Sequence, residues 1–159
     1  MNAEKKVLVL GVGNLLLGDE GIGVHIAQHL QHLPLPANVD VVDGATGGFE
    51  LLEHVLGKNK VIVVDAIDAP ASAGTVVRLN PEDVRRELSP LSFHQSGIHE
   101  LLHYCSRYLP ETEIVILGAV PERIDTPGIG LSESMKNSME KLIAVVLQEA
   151  TVAASSITS

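Results

Sequence analysis

The chain is poor in aromatic residues, with no tryptophan, two tyrosines and two phenylalanines among 159 positions. A core of this size must then be filled by Val, Leu, Ile and Ala, as in sheets whose two faces are both covered. Cysteine is almost absent. The single Cys105 cannot form an internal disulfide, which excludes a cystine-stapled secreted scaffold. Cations are scarce as well: 11 Lys and Arg stand against 20 Asp and Glu, a formal charge of -9. Binding to a phosphate backbone needs clustered Lys and Arg, so no nucleic-acid partner is expected; the acidic balance suits a basic or metal-bearing one. No apolar run approaches the roughly 20 residues of a membrane span, so no membrane attachment is expected. No apolar leader precedes the first strand, and the expected location is cytoplasmic. The length predicts a single domain over residues 1–159, with an ordered core over about 5–150 and a frayed tail over 151–159.

What the sequence does have is a glycine-rich stretch, Gly11 to Gly23, between a β-branched and leucine run (Val7 to Leu10) and an amphipathic segment. It reads as the first strand-to-helix turn of an α/β domain, and such turns face the crevice where ligands bind. A dinucleotide-binding turn would keep its tip neutral to receive a pyrophosphate. Here Asp19 and Glu20 would repel an anion, and Leu16 occupies the place of the third glycine, so a nucleotide-binding module is the weaker alternative.

Downstream, Ile22, Ile26, Leu30 and Leu33 form one helical stripe and His25, Gln28, His29 and His32 another, predicting a helix that ends at Pro34. Strands follow at Val39 to Val42, ending in Asp43, and at Val61 to Val64, ending in Asp65, with a helix from Phe49 to Leu56 between them. The segment from Asp65 to the next strand, Thr75 to Leu79, is too short for the helix of a parallel crossover. The fourth strand is therefore predicted to be antiparallel. A short helix capped by Asn80, a helix striped by Ile98, Leu101, Leu102, Cys105, Tyr108 and Leu109, a fifth strand at Ile114 to Leu117 and a closing helix from Leu131 to about Ala150 complete the pattern.

Several carboxylates then gather at one edge of the sheet. Asp43 and Asp65 end the second and third strands, and Glu20 lies in the turn after the first. Each has a bland reading as a helix or turn residue. Together with His94, in a polar loop just before a helix, Glu20 and Asp65 make a mixed oxygen and nitrogen set for nickel, zinc or another divalent ion. A competing motif is His99-Glu100-Leu101-Leu102-His103, which matches the zinc-peptidase helix but lacks a marked third ligand. Both of its histidines lie off the apolar stripe and read as a solvated helix face, with the zinc-peptidase helix as the weaker alternative. Cys105 lies on the apolar stripe and reads as a buried structural thiol.

Taken in order, Gly11-Val12-Gly13-Asn14, Gly18-Asp19-Glu20-Gly21-Ile22-Gly23, Asp43-Gly44-Ala45-Thr46, Asp65-Ala66, His94-Gln95 and Gly118-Ala119-Val120-Pro121-Glu122 resemble the signature of the hydrogenase maturation proteases. These endopeptidases finish the large subunit of nickel-iron hydrogenases. The resemblance implies a three-layer α/β/α sandwich on a mixed five-stranded sheet, order 2-1-3-5-4 with strand 4 antiparallel. It implies a monomer that removes the carboxy-terminal extension of the nickel-loaded large-subunit precursor, with the substrate's nickel as recognition mark. It carries metal ligation onto Glu20, Asp65 and His94, substrate recognition onto Asp43, Gly44 and Thr46, and a general-base role, as in an aspartyl-type mechanism, onto Asp43 or Asp65. A non-enzymatic module that checks nickel loading is the alternative of another class. Ala45 departs from the family's second glycine, which implies that its position needs no positive φ; Phe93 stands where a proline often precedes the histidine.

Overall fold

The computed structural model describes residues 5–45, 47, 49–87, 98–122, 128 and 130–155. Five strands form one sheet in the order β2-β1-β3-β5-β4: β1 (Val7–Val12), β2 (Val39–Ala45), β3 (Lys60–Ala66), β4 (Val76–Leu79) and β5 (Glu113–Ala119). β1, β2, β3 and β5 run parallel, and β4 pairs antiparallel with β5. The mixed sheet agrees with the expected order, and the short 67–75 connection has the consequence anticipated for it.

The strands are apolar throughout because both faces are covered. Leu8, Leu10, Val12, Val61, Val63 and Ile116 point to one side, where they pack with α2 (Leu52–Val55), α3 (Pro81–Glu87) and α4 (Ile98–Tyr108). Val7, Val9, Ile62, Val64, Val115 and Leu117 point to the other, against α1 (Ile22–Leu30) and α5 (Glu133–Ser155). Period-two alternation along β1 and β3 thus feeds two cores, giving a three-layer sandwich. The Asn80 cap is made as a reciprocal box: Asn80 Oδ1 accepts the Asp83 N–H at 2.9 Å, and Asp83 Oδ2 accepts the Asn80 N–H at 3.0 Å. Helix α5 continues past Ala150 to Ser155, and α1 stops at Leu30, short of Pro34.

A charge cluster ties α5 to the sheet. The Lys60 ammonium, with a side chain only 5% exposed, lies 2.6 Å from Glu149 Oε2, while Arg78 donates to both Glu149 oxygens at 2.8 and 3.2 Å. The Arg78 guanidinium first and Lys60 second hold the Glu149 carboxyl down at about 2, against the opposing pull of burial. Lys60 begins β3 and Glu149 lies near the end of α5, so the clamp sits away from the edge that carries the first turn.

Candidate functional site

The glycine stretch sets the site by letting backbones touch. After β1, the chain makes a 3-10 turn over Gly18–Gly21 and enters α1, and this turn packs against β3. A Cβ on Gly23 would lie 2.1 Å from the Val64 carbonyl oxygen and 2.3 Å from that of Val12. A Cβ on Gly13, whose φ is +139°, would lie 2.0 Å from the Glu20 carbonyl oxygen. On the far side of β3, a Cβ on Gly118 would meet the Asp65 carbonyl oxygen at 2.0 Å. Only glycine permits these approaches, so the residues carrying Glu20 and Asp65 rest directly on neighbouring main chain.

Both carboxylates are buried at the carboxyl edge of the sheet, Glu20 at 7% and Asp65 at 3% exposure. Asp65 Oδ1 accepts the Ala66 N–H at 2.8 Å. Burying acids is costly unless hydrogen bonds, charge or a metal offset the loss of water, so a pair of acids inside one edge is a feature with a cause.

Asp19 differs from its neighbour. Oδ1 accepts the Ser132 N–H at 2.7 Å, and Oδ2 accepts the Glu122 N–H at 2.9 Å and the Ser132 hydroxyl at 2.7 Å. It is 4% exposed, a tie between the first turn, the exit of β5 and the start of α5. The sequence marks it only as one of two acids in the first turn that would repel an anion. Its real signal is the distant Glu122 and Ser132, which no local spacing marks.

Asp43 is exposed at the end of β2, where it pairs with Gly11; the register then slips, and Val12 pairs with Ala45. Its Oδ1 accepts the Ala45 N–H at 3.1 Å, and its Oδ2 accepts from Gln28 Nε2 at 3.2 Å. The expectation for Ala45 is wrong. Its φ is +47°, the left-handed region, because the Asp43 side chain turns the chain back and the Ala45 carbonyl accepts the Gly13 N–H at 2.7 Å. Gly44 is buried beneath Leu10 and Leu51. Thr46 and His94 lie outside the described residues.

The zinc-helix motif lies on α4, with His99 half-buried and His103 exposed. An open groove of about 500 Å³ runs along this face, lined by His99, Glu100, His103, Tyr104, Arg107 and Tyr108, and neither Glu20 nor Asp65 lines it. Among the described residues no three His, Cys, Asp or Glu side chains are placed to hold a metal ion, so the helix has no third ligand there. Cys105 is 2% exposed, and burial pushes its thiol pKa up, as befits an inert core residue. Tyr108, on the predicted apolar stripe of α4, is exposed, and His25, on the stripe of α1 opposite its apolar one, is covered in part. It is half-buried, its Nε2 has no hydrogen-bond partner among the described residues, and burial lowers its pKa.

Comparison with known proteins agrees with this architecture. The family model for hydrogenase maturation proteases matches residues 24–149. The chain is 37% identical over 150 residues to the hydrogenase 2 maturation protease of Escherichia coli K12, covering 89% of this chain and 88% of that protein. It is 32% identical over 150 residues to a putative hydrogenase maturation protease of Methanocaldococcus jannaschii, covering 92% and 97%. The solved structure of the hydrogenase maturating endopeptidase HybD from E. coli superposes with a TM-score of 0.79 at 34% identity, over 92% of each chain. Residues 24–149, the greater part of this sheet and its helices, match the family model, and the chain belongs to the hydrogenase maturation protease family, a family of peptidases.

Proposed function

We propose that this peptidase removes the carboxy-terminal extension of a nickel-iron hydrogenase large-subunit precursor and reads the nickel carried by that substrate as its recognition mark. In this reading Glu20 and Asp65 each offer a carboxylate oxygen and His94 an imidazole nitrogen to the incoming ion. The observation that supports it is the pair of buried carboxylates, held on close-packed main chain at the edge of the sheet where ligands of α/β folds bind. An incomplete oxygen and nitrogen set grips an ion already held by substrate ligands, and fixing that ion fixes the nearby scissile peptide. Other divalent ions of similar preference would enter the same set.

The exposed Asp43, with Gly44 and Thr46 that follow it in the sequence, is the contact assigned to the substrate chain. A second mechanism assigns the hydrolytic step to a carboxylate base, with the metal used only for docking. The exposure of Asp43 favours it for that task over Asp65, since a base that activates water must reach it. In both mechanisms the protein acts as a cytoplasmic monomer.

The test is incubation of the protein with nickel-loaded and nickel-free precursor, following the released peptide by mass spectrometry. Release from the loaded form alone is expected, falling at least about 100-fold in Glu20→Gln and staying within twofold of wild type in His99→Ala. Normal processing by Glu20→Gln would reject the role of that residue. Loss with His99→Ala alone would move the site to α4.

A further inference from the structure

We infer that Asp19 is a positioning residue for Glu20: it acts on the substrate's metal through its neighbour and takes no place in the ligand set itself. This inference rests on the metal-gripping role proposed for Glu20.

The two acids are adjacent in a 3-10 turn, where successive side chains diverge by about a third of a circle. Both therefore cannot face the same ion from one turn, and Asp19 is the one whose oxygens are turned to the protein. Asp19 accepts three donors across more than a hundred residues of sequence, the Glu122 N–H, the Ser132 N–H and the Ser132 hydroxyl, at 2.7 to 2.9 Å. Ser132 is also committed on its other side. Its Oγ accepts the Met135 N–H at 3.3 Å and its carbonyl accepts the Lys136 N–H at 2.9 Å, so Asp19 is bound to the first turn of α5 rather than to a loose side chain.

The turn is fixed at its other end too. Gly18 donates its N–H to the Gly128 carbonyl at 2.9 Å, and the Gly128 N–H reaches the Leu16 carbonyl at 2.9 Å. Gly13 supports the Glu20 carbonyl from beneath. Without Asp19 the segment from Gly18 to Gly21 keeps its ends and loses the anchor nearest Glu20. A carboxylate displaced by about 1 Å from the ion loses most of its grip, and groups that orient metal ligands are worth about 10–100-fold in metal affinity or activity.

Asp19→Asn tests this, because the amide keeps the size and one acceptor while its NH₂ meets the Glu122 or Ser132 N–H donor to donor. Steady-state cleavage of the nickel-loaded precursor is measured for wild type, Asp19→Asn, Glu20→Gln and Glu149→Gln, at a temperature where circular dichroism shows each to be folded. A merely structural role removes active molecules and lowers kcat alone. Displacement of Glu20 weakens the grip on the metal and raises KM. The expected result is a KM raised about 10-fold or more in Asp19→Asn, with Glu149→Gln keeping the wild-type KM despite its loss of stability. An unchanged KM in Asp19→Asn, with Glu20→Gln impaired, would overturn the positioning role and leave the proposed site intact. Normal KM and kcat in Glu20→Gln would overturn the reading of Glu20, and the role of Asp19 with it.

Discussion

Replacing Gly118 by alanine isolates the glycine packing from every other property of the site. Gly118 pairs with Asp65 in the β3·β5 ladder, and the added Cβ would lie 2.0 Å from the Asp65 carbonyl oxygen and 2.8 Å from Ile67 Cδ1. The Ile67 methyl can rotate aside; the carbonyl belongs to the strand and cannot. A carbon and a carbonyl oxygen rest at about 3.3 Å or more, so the end of β3 that carries Asp65 must move by roughly 1.3 Å. Overpacking of this kind costs about 1–3 kcal/mol, which for a chain of this length lowers Tm by roughly 2–12 °C. The loss of cleavage should be larger than that implies, about 100-fold for a misplacement near 1 Å, measured where the variant is fully folded. Gly57→Ala is the control. Its φ is +82° and nothing lies within 4 Å of the new Cβ, so it loses about 1–2 kcal/mol through backbone strain and should cleave at the wild-type rate. Wild-type cleavage by folded Gly118→Ala would refute the claim that this contact positions Asp65.

Three further outcomes follow from the geometry. Glu149→Gln leaves the buried Lys60 with Glu113 at 3.9 Å as its acidic partner and should cost about 2–3 kcal/mol at pH 7 by urea unfolding. Because Glu149 is held at about 2, its contribution in the wild type is complete above its ordinary value near 4.5 and is lost as pH falls toward 2. The gross linkage of about 3 kcal/mol shrinks to about 1–2 because Arg78 is half in solvent, and the acid-unfolding curve of Glu149→Gln should be flatter by that amount. His25, whose pKa is lowered by burial, binds a proton more readily when unfolded, so it weakens the fold as pH falls through about 6.5. His25→Leu should remove that slope from a Tm series between about pH 5 and 8, and a slope unchanged by the substitution would show that another group causes it. Ala45→Gly relieves a left-handed strain of about 1–2 kcal/mol and adds about 0.5–1 kcal/mol of unfolded-state freedom. A net gain of up to about 1.5 kcal/mol is expected, and a clear loss would mean that the alanine methyl is packed rather than tolerated.

The sheet was readable because its determinants are local. Strand-length apolar runs, strand-end aspartates and the short 67–75 connection define four parallel strands and one reversed strand without knowledge of any distant contact. The strand order was different, since nothing in the spacing of the runs says that β3 pairs with both β1 and β5; it came with the family resemblance. Features that depend on tertiary context were misjudged. Ala45 was assigned an ordinary φ from its Cβ alone, whereas the Asp43 side chain, the bulge and the Gly13 N–H together impose the left-handed turn. Periodicity sets His25 opposite the apolar stripe of α1, and it registers the direction of a side chain and not what the rest of the chain lays over it, here enough to half-bury the ring.

The site shows the same division more sharply. Asp19 and Glu20 are chemically alike and adjacent, so their spacing alone marks an acidic turn, and only the family resemblance singles out Glu20. The distinction lies in hydrogen-bond partners more than a hundred residues away, which occupy Asp19 from three directions and tie it to α5. A buried carboxylate that accepts three donors is a structural anchor, and a ligand must keep oxygen lone pairs for its ion. The ligand role proposed for Glu20 comes from the family resemblance, and its position depends on two supports of different kinds: the Asp19 anchor beside it and the Gly13 main chain beneath it. Asp65 has the corresponding support from Gly118. The glycines and the extra acid of the signature are therefore parts of one device that holds two carboxylates at the sheet edge, and a variant in any of those parts should damage cleavage before it unfolds the chain.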